Sequence, residues 1–268
     1  MQGAAAGVCA ILPLAIIRDV FEGGAARRRL SHVAALLGVT PLIAPTIGSW
    51  LLAVGSWRTI YAAQAAVGFA MALCAWIGFH DTLPPDRRPP IKRRSMLHGY
   101  ADVLSSVSFR TFALIYALSF ACAFSFISGA PSVLIQTLGL SHIEFALFFA
   151  AAAVWFLVGS LISARLSGEK CGPQTLMQTG LAIMIFGSGI GLAAAAAGKI
   201  HVFTLLPAAA LAVFGFGLVG AMATHDALQD LPQAAGAAAG ALRCGQMTAG
   251  AAVSALLSGS WTTGPPLP

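Results

Sequence analysis

Charged side chains are scarce in this sequence, and acidic ones are the scarcest. Only 9% of the 268 residues are Asp, Glu, Lys or Arg, and nine are acidic. A soluble domain carries about 25% charged residues on average. The scarcity argues against a soluble globular fold, because too few charged groups are present to cover its surface.

Motifs for metal binding and catalysis are also missing. The sequence has no CxxC or HxxxH spacing, no GxSxG, no phosphate loop and no paired-carboxylate motif. We therefore expect no enzyme activity, no metal, no cofactor and no ATP-driven transport. A helical membrane enzyme would need several polar groups that converge inside the bundle. Arg243 is the one residue of the predicted spans that is clearly charged and far from the membrane surface, which argues against such an enzyme. The five cysteines are expected to be small core residues: Cys9, Cys74, Cys122, Cys171 and Cys244.

Long hydrophobic runs are what the sequence has in abundance, since 58% of its residues are hydrophobic. A helix of roughly 20 apolar residues crosses a bilayer core about 30 Å thick. The sequence therefore predicts an all-α polytopic membrane protein. Arg18 and Asp19 stand where a cleavage site would belong, which argues against reading the first run as a secretory signal. Eight spans are predicted: 1–17, 33–54, 60–80, 110–135, 144–164, 175–198, 203–223 and 236–257.

The basic residues indicate how these spans cross the membrane. A net charge of +6 is also found in proteins that bind nucleic acid, but the placement of these charges favours a role in membrane topology. By the positive-inside rule, the loops after spans 1, 3, 5 and 7 are predicted to be cytoplasmic, in a bacterial-type inner membrane. The other side holds Arg58 and Lys199. The cytoplasmic side holds 12 of the 15 basic residues: Arg18, Arg27, Arg28, Arg29, Arg87, Arg88, Lys92, Arg93, Arg94, Arg110, Arg165 and Lys170.

The longest polar connection divides the chain. Residues 81–109 contain the basic, Pro-rich stretch TLPPDRRPPIKRRS and are predicted to be a central cytoplasmic loop. Residues 1–80 would be the remainder of an N-terminal bundle with three spans, and 110–268 a C-terminal bundle with five. Transporters built from two six-helix halves carry their long loop between the halves. On that basis three helices are missing in front and one behind; a complete eight-helix protein is the alternative.

Span 2 carries a helix face built from glycine and proline. Gly38, Pro41, Pro45 and Gly48 follow one another at steps of three or four residues, which places them on one side of a helix. Proline bends a helix and glycine admits a neighbouring backbone, so this side predicts a kink and a close contact. A plain packing seam is the alternative.

Several segments resemble the Bcr/CflA branch of the major facilitator superfamily, the bicyclomycin and chloramphenicol resistance exporters. The resemblance implies a twelve-helix drug:proton antiporter, of which about eight helices are present. It would act as a monomer in the lipid bilayer on small amphipathic drugs, with protons as the coupling ion and no nucleic acid. In order, the segments are QGAAA at 2–6, IIRDVF at 16–21, AARRRLS at 25–31, APTIGSW at 44–50, SWRTIY at 56–61, DTLPPDRR at 81–88 and FSFISGAPSV at 124–133.

The resemblance also implies roles for individual residues. The segment 44–50 is similar to the family's antiporter motif, so helix kinking and packing are assigned to Gly38, Pro41, Ala44, Pro45 and Gly48. Arg18 and Asp19 would organise a cytoplasmic gate. In related exporters membrane carboxylates carry the protons, but here Glu144 merely opens span 5 and Asp226 follows span 7. A nonfunctional or purely structural fragment of such a transporter is therefore the rival interpretation, and we expect the 268-residue chain alone not to confer resistance.

Polar and aromatic residues inside the spans are candidates for the wall of a substrate cavity. A charge such as Arg243 near a helix centre costs roughly 2.5 to 3.5 kcal/mol on insertion scales, so it faces a cavity or snorkels to the membrane surface. For the aromatic residues, lipid contact or core packing is the alternative. The candidates are Gln64, Phe124, Phe126, Gln136, Arg243 and Gln246.

Overall fold

The computed structural model describes residues 16–17, 21, 40, 43–44, 46–78, 93–166, 172–231 and 234–263. Within these ranges the chain is helical and has no β-strand, which confirms the predicted all-α fold. The residues group into two compact units, Met1–Ile91 and Lys92–Pro268. The helices are α1 (Trp57–Gly78), α2 (Arg93–Ser105), α3 (Val107–Ala130), α4 (His142–Leu166), α5 (Pro173–Ala196), α6 (Val202–Gln229) and α7 (Ala235–Thr263).

The first unit contributes a helical stretch over residues 46–54 and helix α1. Gly55 separates the two, and the backbone N–H of Ser56 donates to the Thr59 hydroxyl at 3.2 Å at the start of α1. Helix α1 has 22 residues, none of them buried. At 1.5 Å per residue it is about 33 Å long, which is enough to cross a bilayer.

In the second unit, helix α3 runs on without a break into a π-helical segment, Pro131–Thr137. Together they form one apolar helix of 31 residues, Val107–Thr137. Pro131 has no backbone N–H to donate to the preceding turn, which favours a change of helical register at this point. Ser106 caps the start of α3 by accepting a bond from the Phe109 N–H at 3.3 Å.

Five helices in the described residues are long and apolar enough to span a membrane: α1, α3 with its π segment, α4, α5 and α6. Helix α7 has 29 residues, but it is rich in Ala and Gly, contains Arg243 and is less apolar. Helices α1 and α3 to α7 coincide with predicted spans 3 to 8 to within a few residues. Hydrophobic length sets most of these boundaries, which is why composition predicts them. Helices α6 and α7 end at Gln229 and Thr263, each six residues beyond the predicted ends at 223 and 257.

Span 7 was placed too short, and this changes the environment of Asp226. Helix α6 continues to Gln229, so Asp226 lies inside the helix and does not follow it. Its side chain is buried, with 5% of the residue exposed. The sequence His225-Asp226 has the polarity of a loop, but the two side chains hydrogen-bond each other, and Ala227, Leu228 and Gln229 favour continuation of the helix.

Helix α2 lies within the connection 81–109, for which no helix was predicted. Val103 is fully buried and packs in a core cluster with Phe109, Tyr116 and Leu242. Tyr100, one turn earlier, lies beside Gly240 of α7. The flanking prolines and arginines hide this short apolar side of α2 in the sequence. Through it, α2 packs against the first turns of α3 and α7.

Helix α6 is the centre of the second unit, and glycines bring its neighbours close. A Cβ at Gly159 of α4 would collide with the carbonyl of Phe214, and a Cβ at Gly217 of α6 would meet the carbonyl of Phe156. On the other side, Gly180 of α5 lies against the Gly215 backbone. Small residues at such positions let helix backbones pack tightly in a membrane.

Candidate functional site

Helices α3 and α7 meet along a row of polar and aromatic residues. The row on α3 is Tyr116, Phe120, Phe124 and Ser128, at four-residue steps. The row on α7 is Arg243, Gln246, Gly250 and Ser254, at steps of three or four. Each set therefore lies on one side of its helix. We call these eight residues the α3–α7 face.

Contacts across the α3–α7 face show that the two helices run parallel. Arg243 contacts Tyr116 about two turns into each helix. The Ser128 and Ser254 hydroxyls lie 2.9 Å apart further along both helices. Between these pairs, Gly250 leaves room for an aromatic ring, because a Cβ there would lie 2.8 Å from Cε1 of Phe120. The face is thus continuous for about three helical turns.

Arg243 is the charged residue of this face, and two neutral groups hold it. Its Nη1 donates to the Tyr116 hydroxyl at 3.2 Å and to Oε1 of Gln246 at 2.8 Å. Tyr116 and Gln246 are buried, whereas Arg243 itself is exposed. The Thr224 side chain of α6 lies close to the same phenol. Two buried polar side chains therefore fix the direction of an exposed guanidinium.

An aromatic wall continues from Tyr116. The ring centroid of Phe216 on α6 lies 5.9 Å from that of Tyr116 and 5.6 Å from that of Phe120. Phe120 stacks on Phe124 at 5.1 Å, and Phe156 of α4 stacks on Phe216 at 5.7 Å. Such clusters offer a large apolar surface with defined ring directions. A flat apolar molecule beside Arg243 could pack against these rings.

The hydroxyl of Ser119, one turn after Tyr116, is buried. It has no hydrogen-bond partner among the described residues. Ser163 of α4 is equally buried, but its hydroxyl donates to the Leu218 carbonyl of α6 at 3.1 Å. The first hydroxyl therefore carries an uncompensated desolvation cost that the second does not.

Three of the six predicted cavity residues come together on this face: Phe124, Arg243 and Gln246. Phe126 instead packs in a separate apolar cluster around Leu134, Phe148 and Ala209. Gln136 is exposed in the π segment, and Gln64 is exposed on α1 in the other unit. Hydrophobicity does not distinguish Phe124 from Phe126. The two side chains are two residues apart on one helix, so they point in nearly opposite directions.

The predicted kink of span 2 and the cytoplasmic gate mostly fall outside the described residues. This holds for Arg18, Asp19, Gly38, Pro41 and Pro45. Ala44 and Gly48 are helical, and no atom lies within 4 Å of a Cβ built on Gly48. The roles assigned to these residues by resemblance stay predictions.

The two carboxylates noted in the sequence are held in different ways. Oε2 of Glu144 accepts from both the N–H and the hydroxyl of Ser141 at 2.8 Å, and the Ser141 hydroxyl accepts from the Glu144 N–H at 3.3 Å. This capping box starts α4. Asp226 is buried and lies 3.0 Å from Nδ1 of the exposed His225. Among the described residues, Asp226 is the buried carboxylate.

An open groove of about 430 Å³ lies away from the α3–α7 face, between the first turns of α4 and α6. Its lining is apolar except for Glu144, whose carboxylate is bound to Ser141. The groove therefore presents one capping carboxylate and no cation. The polar side chains that converge are those around Arg243.

Tyr116, Phe120 and Phe216 are site residues that sequence reasoning missed. Asp226 was noted but placed after its helix. Tyr116 precedes Phe120 by one helical turn, which is a readable signal for a polar group on the same side. Its contact with Arg243 joins positions 127 residues apart and has no local signal. The capping box at Ser141 and Glu144 was readable from its spacing.

Comparison with known proteins adds to this geometry. The family model of the Major Facilitator Superfamily matches residues 1–255. Multidrug resistance protein D of Escherichia coli (strain K12) is 30% identical over 246 residues, which are 89% of this chain and 59% of the relative. The Bicyclomycin resistance protein homolog of Haemophilus influenzae is 24% identical over 238 residues, again 89% of this chain and 59% of the relative.

A third relative shares a shorter stretch. It is the protein of Bacillus subtilis (strain 168) named Uncharacterized MFS-type transporter YdgK, 29% identical over 170 residues, which are 63% of this chain and 42% of the relative. The chain therefore spans about half the length of the curated relatives that it matches. The predicted resemblance to the Bcr/CflA branch is confirmed by these matches.

Proposed function

The chain belongs to the Major Facilitator Superfamily, and on that premise we propose that the protein exports small amphipathic drugs in exchange for protons. It would lie in the inner membrane with the loops after spans 1, 3, 5 and 7 in the cytoplasm. The names of two relatives, a multidrug resistance protein and a bicyclomycin resistance homolog, support drugs as the substrate class. Proton antiport follows from the resemblance to that branch.

The α3–α7 face is the observation that carries the proposal. Its charged residue, Arg243, lies roughly 12 Å along α7 from Ala235. A charge at depth costs several kcal/mol unless it meets water, a cavity or a partner. Its hydrogen bonds run across to Tyr116 and along α7 to Gln246, in the direction away from the start of the helix. This arrangement supports a cavity wall over a side chain that snorkels back to the surface.

The aromatic wall supplies the second property that drug export needs. A site that accepts varied lipophilic molecules is mostly apolar, with a few polar groups that fix orientation. Phe120, Phe124 and Phe216 would supply the apolar contact, and Arg243 with Gln246 the polar contact. Rigid-body rocking of helices would expose this face to one side of the membrane and then to the other. No covalent step is needed.

Everted membrane vesicles that contain the protein, expressed from its complete reading frame, provide the test. With an imposed pH gradient, acridine orange reports proton release when chloramphenicol is added. We expect a drug-dependent proton flux that vesicles without the protein lack, and a flux at least tenfold lower with Arg243→Ala, because a charge-assisted hydrogen bond contributes about 1.5 kcal/mol or more.

Protein abundance in the same vesicles is the control, since a lower amount of Arg243→Ala would mimic a lower rate. Absence of any drug-induced flux by the wild type would reject antiport. A normal flux with Arg243→Ala at equal abundance would still be consistent with antiport. It would show that Arg243 does not line the cavity and instead snorkels to the membrane surface.

A further inference from the structure

The guanidinium of Arg243 is held from one of its nitrogens. An arginine side chain has five N–H donors, two on each Nη and one on Nε. Both bonds to the protein, to Tyr116 and to Gln246, come from Nη1. Among the described residues, the three N–H groups of Nε and Nη2 have no acceptor. These two nitrogens form the edge that binds a carboxylate through two parallel bonds.

The described carboxylates are all engaged elsewhere or lie on the surface. Glu144 is bound to Ser141, and Asp226 to His225. Asp102 and Asp230 are exposed, and neither forms an ion pair with Arg243. The positive charge on the α3–α7 face is therefore uncompensated within the part of the chain that the structure describes. An unpaired cation at depth favours an anionic partner, because the partner removes part of the desolvation cost.

The aromatic wall begins beside this charge. The phenol that accepts from Arg243 belongs to a ring 5.9 Å from Phe216, and Phe120 and Phe124 follow on α3 at one helical turn each. One turn rises about 5.4 Å, so apolar ring surface lies roughly 5 to 11 Å from the phenol along α3. A molecule with an anionic group and a flat apolar body of two fused rings matches this spacing.

We propose that Nε and Nη2 of Arg243 bind the anionic group of an amphipathic aromatic molecule whose rings lie against Phe120, Phe124 and Phe216. The inference rests on the proposed function, since it takes the α3–α7 face as part of a transport cavity. It goes further by naming the class of substrate: apolar aromatic molecules that carry a carboxylate or a similar anion. An anionic lipid head group has the same chemistry and is the other source of such a ligand.

Three naphthalene compounds that differ in their head group test the proposal. They are 2-naphthoate, 2-naphthamide and 2-naphthylmethylammonium, and their binding is measured by calorimetry on the full protein in phosphatidylcholine nanodiscs. We expect the carboxylate to bind about tenfold more tightly than the amide, and the ammonium most weakly, because a bond to an ionised group is stronger than a neutral one. Equal affinities, or no binding of the carboxylate, would overturn the proposal.

Variants assign the preference to Arg243. Arg243→Gln should abolish the preference for the carboxylate, and Arg243→Lys should keep part of it, because the charge stays but the two-pronged edge is lost. Lys199→Gln removes one positive charge from an exposed position between α5 and α6 and should change nothing. If Arg243→Gln does not fold, Tyr116→Phe removes the phenol that orients the guanidinium and should lower the preference severalfold. A preference that persists in every folded variant would overturn the proposal.

The lipid source is separated by repeating the titration in nanodiscs that contain phosphatidylglycerol. A loss of naphthoate affinity that is larger for the wild type than for Arg243→Gln assigns the site to the lipid head group. An equal change in both assigns it to the free anion; both results support an anion site at Arg243. The titrations use no pH gradient, so their failure leaves proton-driven export untouched, and a failure of export leaves the head-group preference untouched.

Discussion

The α4–α6 interface and the α3–α7 face lie in the same helical unit, but different groups fill the space between their helices. Between α4 and α6, Gly159 and Gly217 bring backbone against backbone, and Ser163 bonds a carbonyl of the opposite helix. Between α3 and α7, side chains make the contacts: the Arg243 guanidinium bonds the Tyr116 phenol, the Ser128 and Ser254 hydroxyls meet, and the Phe120 ring lies beside Gly250. Backbone contact leaves no room for a ligand, whereas side chains can move.

This difference indicates that the two interfaces have different roles. A backbone-to-backbone interface is rigid, because a helix cannot change rotamer as a side chain does. Polar groups inside an apolar helix cost stability and are retained where they serve a function. We interpret the α4–α5–α6 contacts as the scaffold and the α3–α7 face as the surface that meets the substrate.

Gly159→Val is expected to have the largest effect, since the added side chain would collide with the Phe214 carbonyl. Overpacking costs about 1 to 3 kcal/mol, and a backbone obstacle places this change at about 3 kcal/mol. Gly189→Val on α5 is the matched control, because nothing lies within 4 Å of a Cβ built there. Unfolding of the purified protein in mixed SDS and detergent micelles measures both. Equal losses would contradict a tight α4–α6 interface.

Tyr116→Phe tests the proposed role of the α3–α7 face in substrate binding. Removing the phenol oxygen leaves Gln246 as the one acceptor of Nη1 among the described residues. We expect about tenfold weaker binding of an exported drug, because a hydrogen bond from a charged donor contributes about 1.5 kcal/mol. Tyr61→Phe removes the same atom from an exposed position on α1. Transport by reconstituted protein over a range of drug concentrations gives the apparent affinities. A loss of stability without a change in affinity would make Tyr116 a packing residue.

Ser163→Ala and Ser119→Ala each remove a hydroxyl oxygen from a buried site. We expect the two changes to affect the free energy of unfolding differently. The Ser163 hydroxyl is bonded to Leu218, and its loss should cost about 1 kcal/mol. The Ser119 hydroxyl has no partner among the described residues, so its loss should be neutral or stabilising. Urea-free thermal unfolding in detergent compares the two. A destabilised Ser119→Ala would show that its hydroxyl has a partner, for instance a bound water.

The smallest effect is expected at the Ser128 and Ser254 pair. A double-mutant cycle with Ser128→Ala and Ser254→Ala should give a coupling energy of about 0.6 kcal/mol, the average for hydrogen bonds between membrane helices. The two hydroxyls lie 2.9 Å apart. Folding free energies of the four proteins provide the cycle. A coupling of several kcal/mol would mean that this pair, and not the backbone contacts, holds the helices together.

Much of the fold was predictable from hydrophobic length, and the relation to the family from short motifs. Spans 3 to 8 were placed within a few residues, except that span 7 ended before Asp226 and span 8 ended six residues before helix α7 does. That error has a physical cause: a charged residue ends a hydropathy run, although a helix continues when the charge is paired. The short apolar side of α2 was hidden by the prolines and arginines that precede it.

The site was predictable in part. Arg243 and Gln246 were predicted because polar groups at helical spacing in an apolar span are unusual, and the structure places both on the α3–α7 face. Their role in a substrate cavity stays a prediction. The contact of Tyr116 with Arg243 and the packing of Phe126 in a separate cluster could not be predicted, since they depend on how α3 is rotated about its axis and aligned with α7. Rotation and alignment come from tertiary contacts such as Gly250 against Phe120, which no local pattern reports.

Cysteine labelling on α3 tests most directly the claim that the α3–α7 face lines a water-filled cavity. In a protein whose native cysteines are replaced by serine, Phe120→Cys is on the face, and Leu118→Cys is exposed but points away from it. A charged, membrane-impermeant methanethiosulfonate should modify position 120, with protection by chloramphenicol, and leave position 118 unmodified because thiols in lipid do not ionise. Equal labelling of both positions, or labelling at 118 alone, would contradict the account.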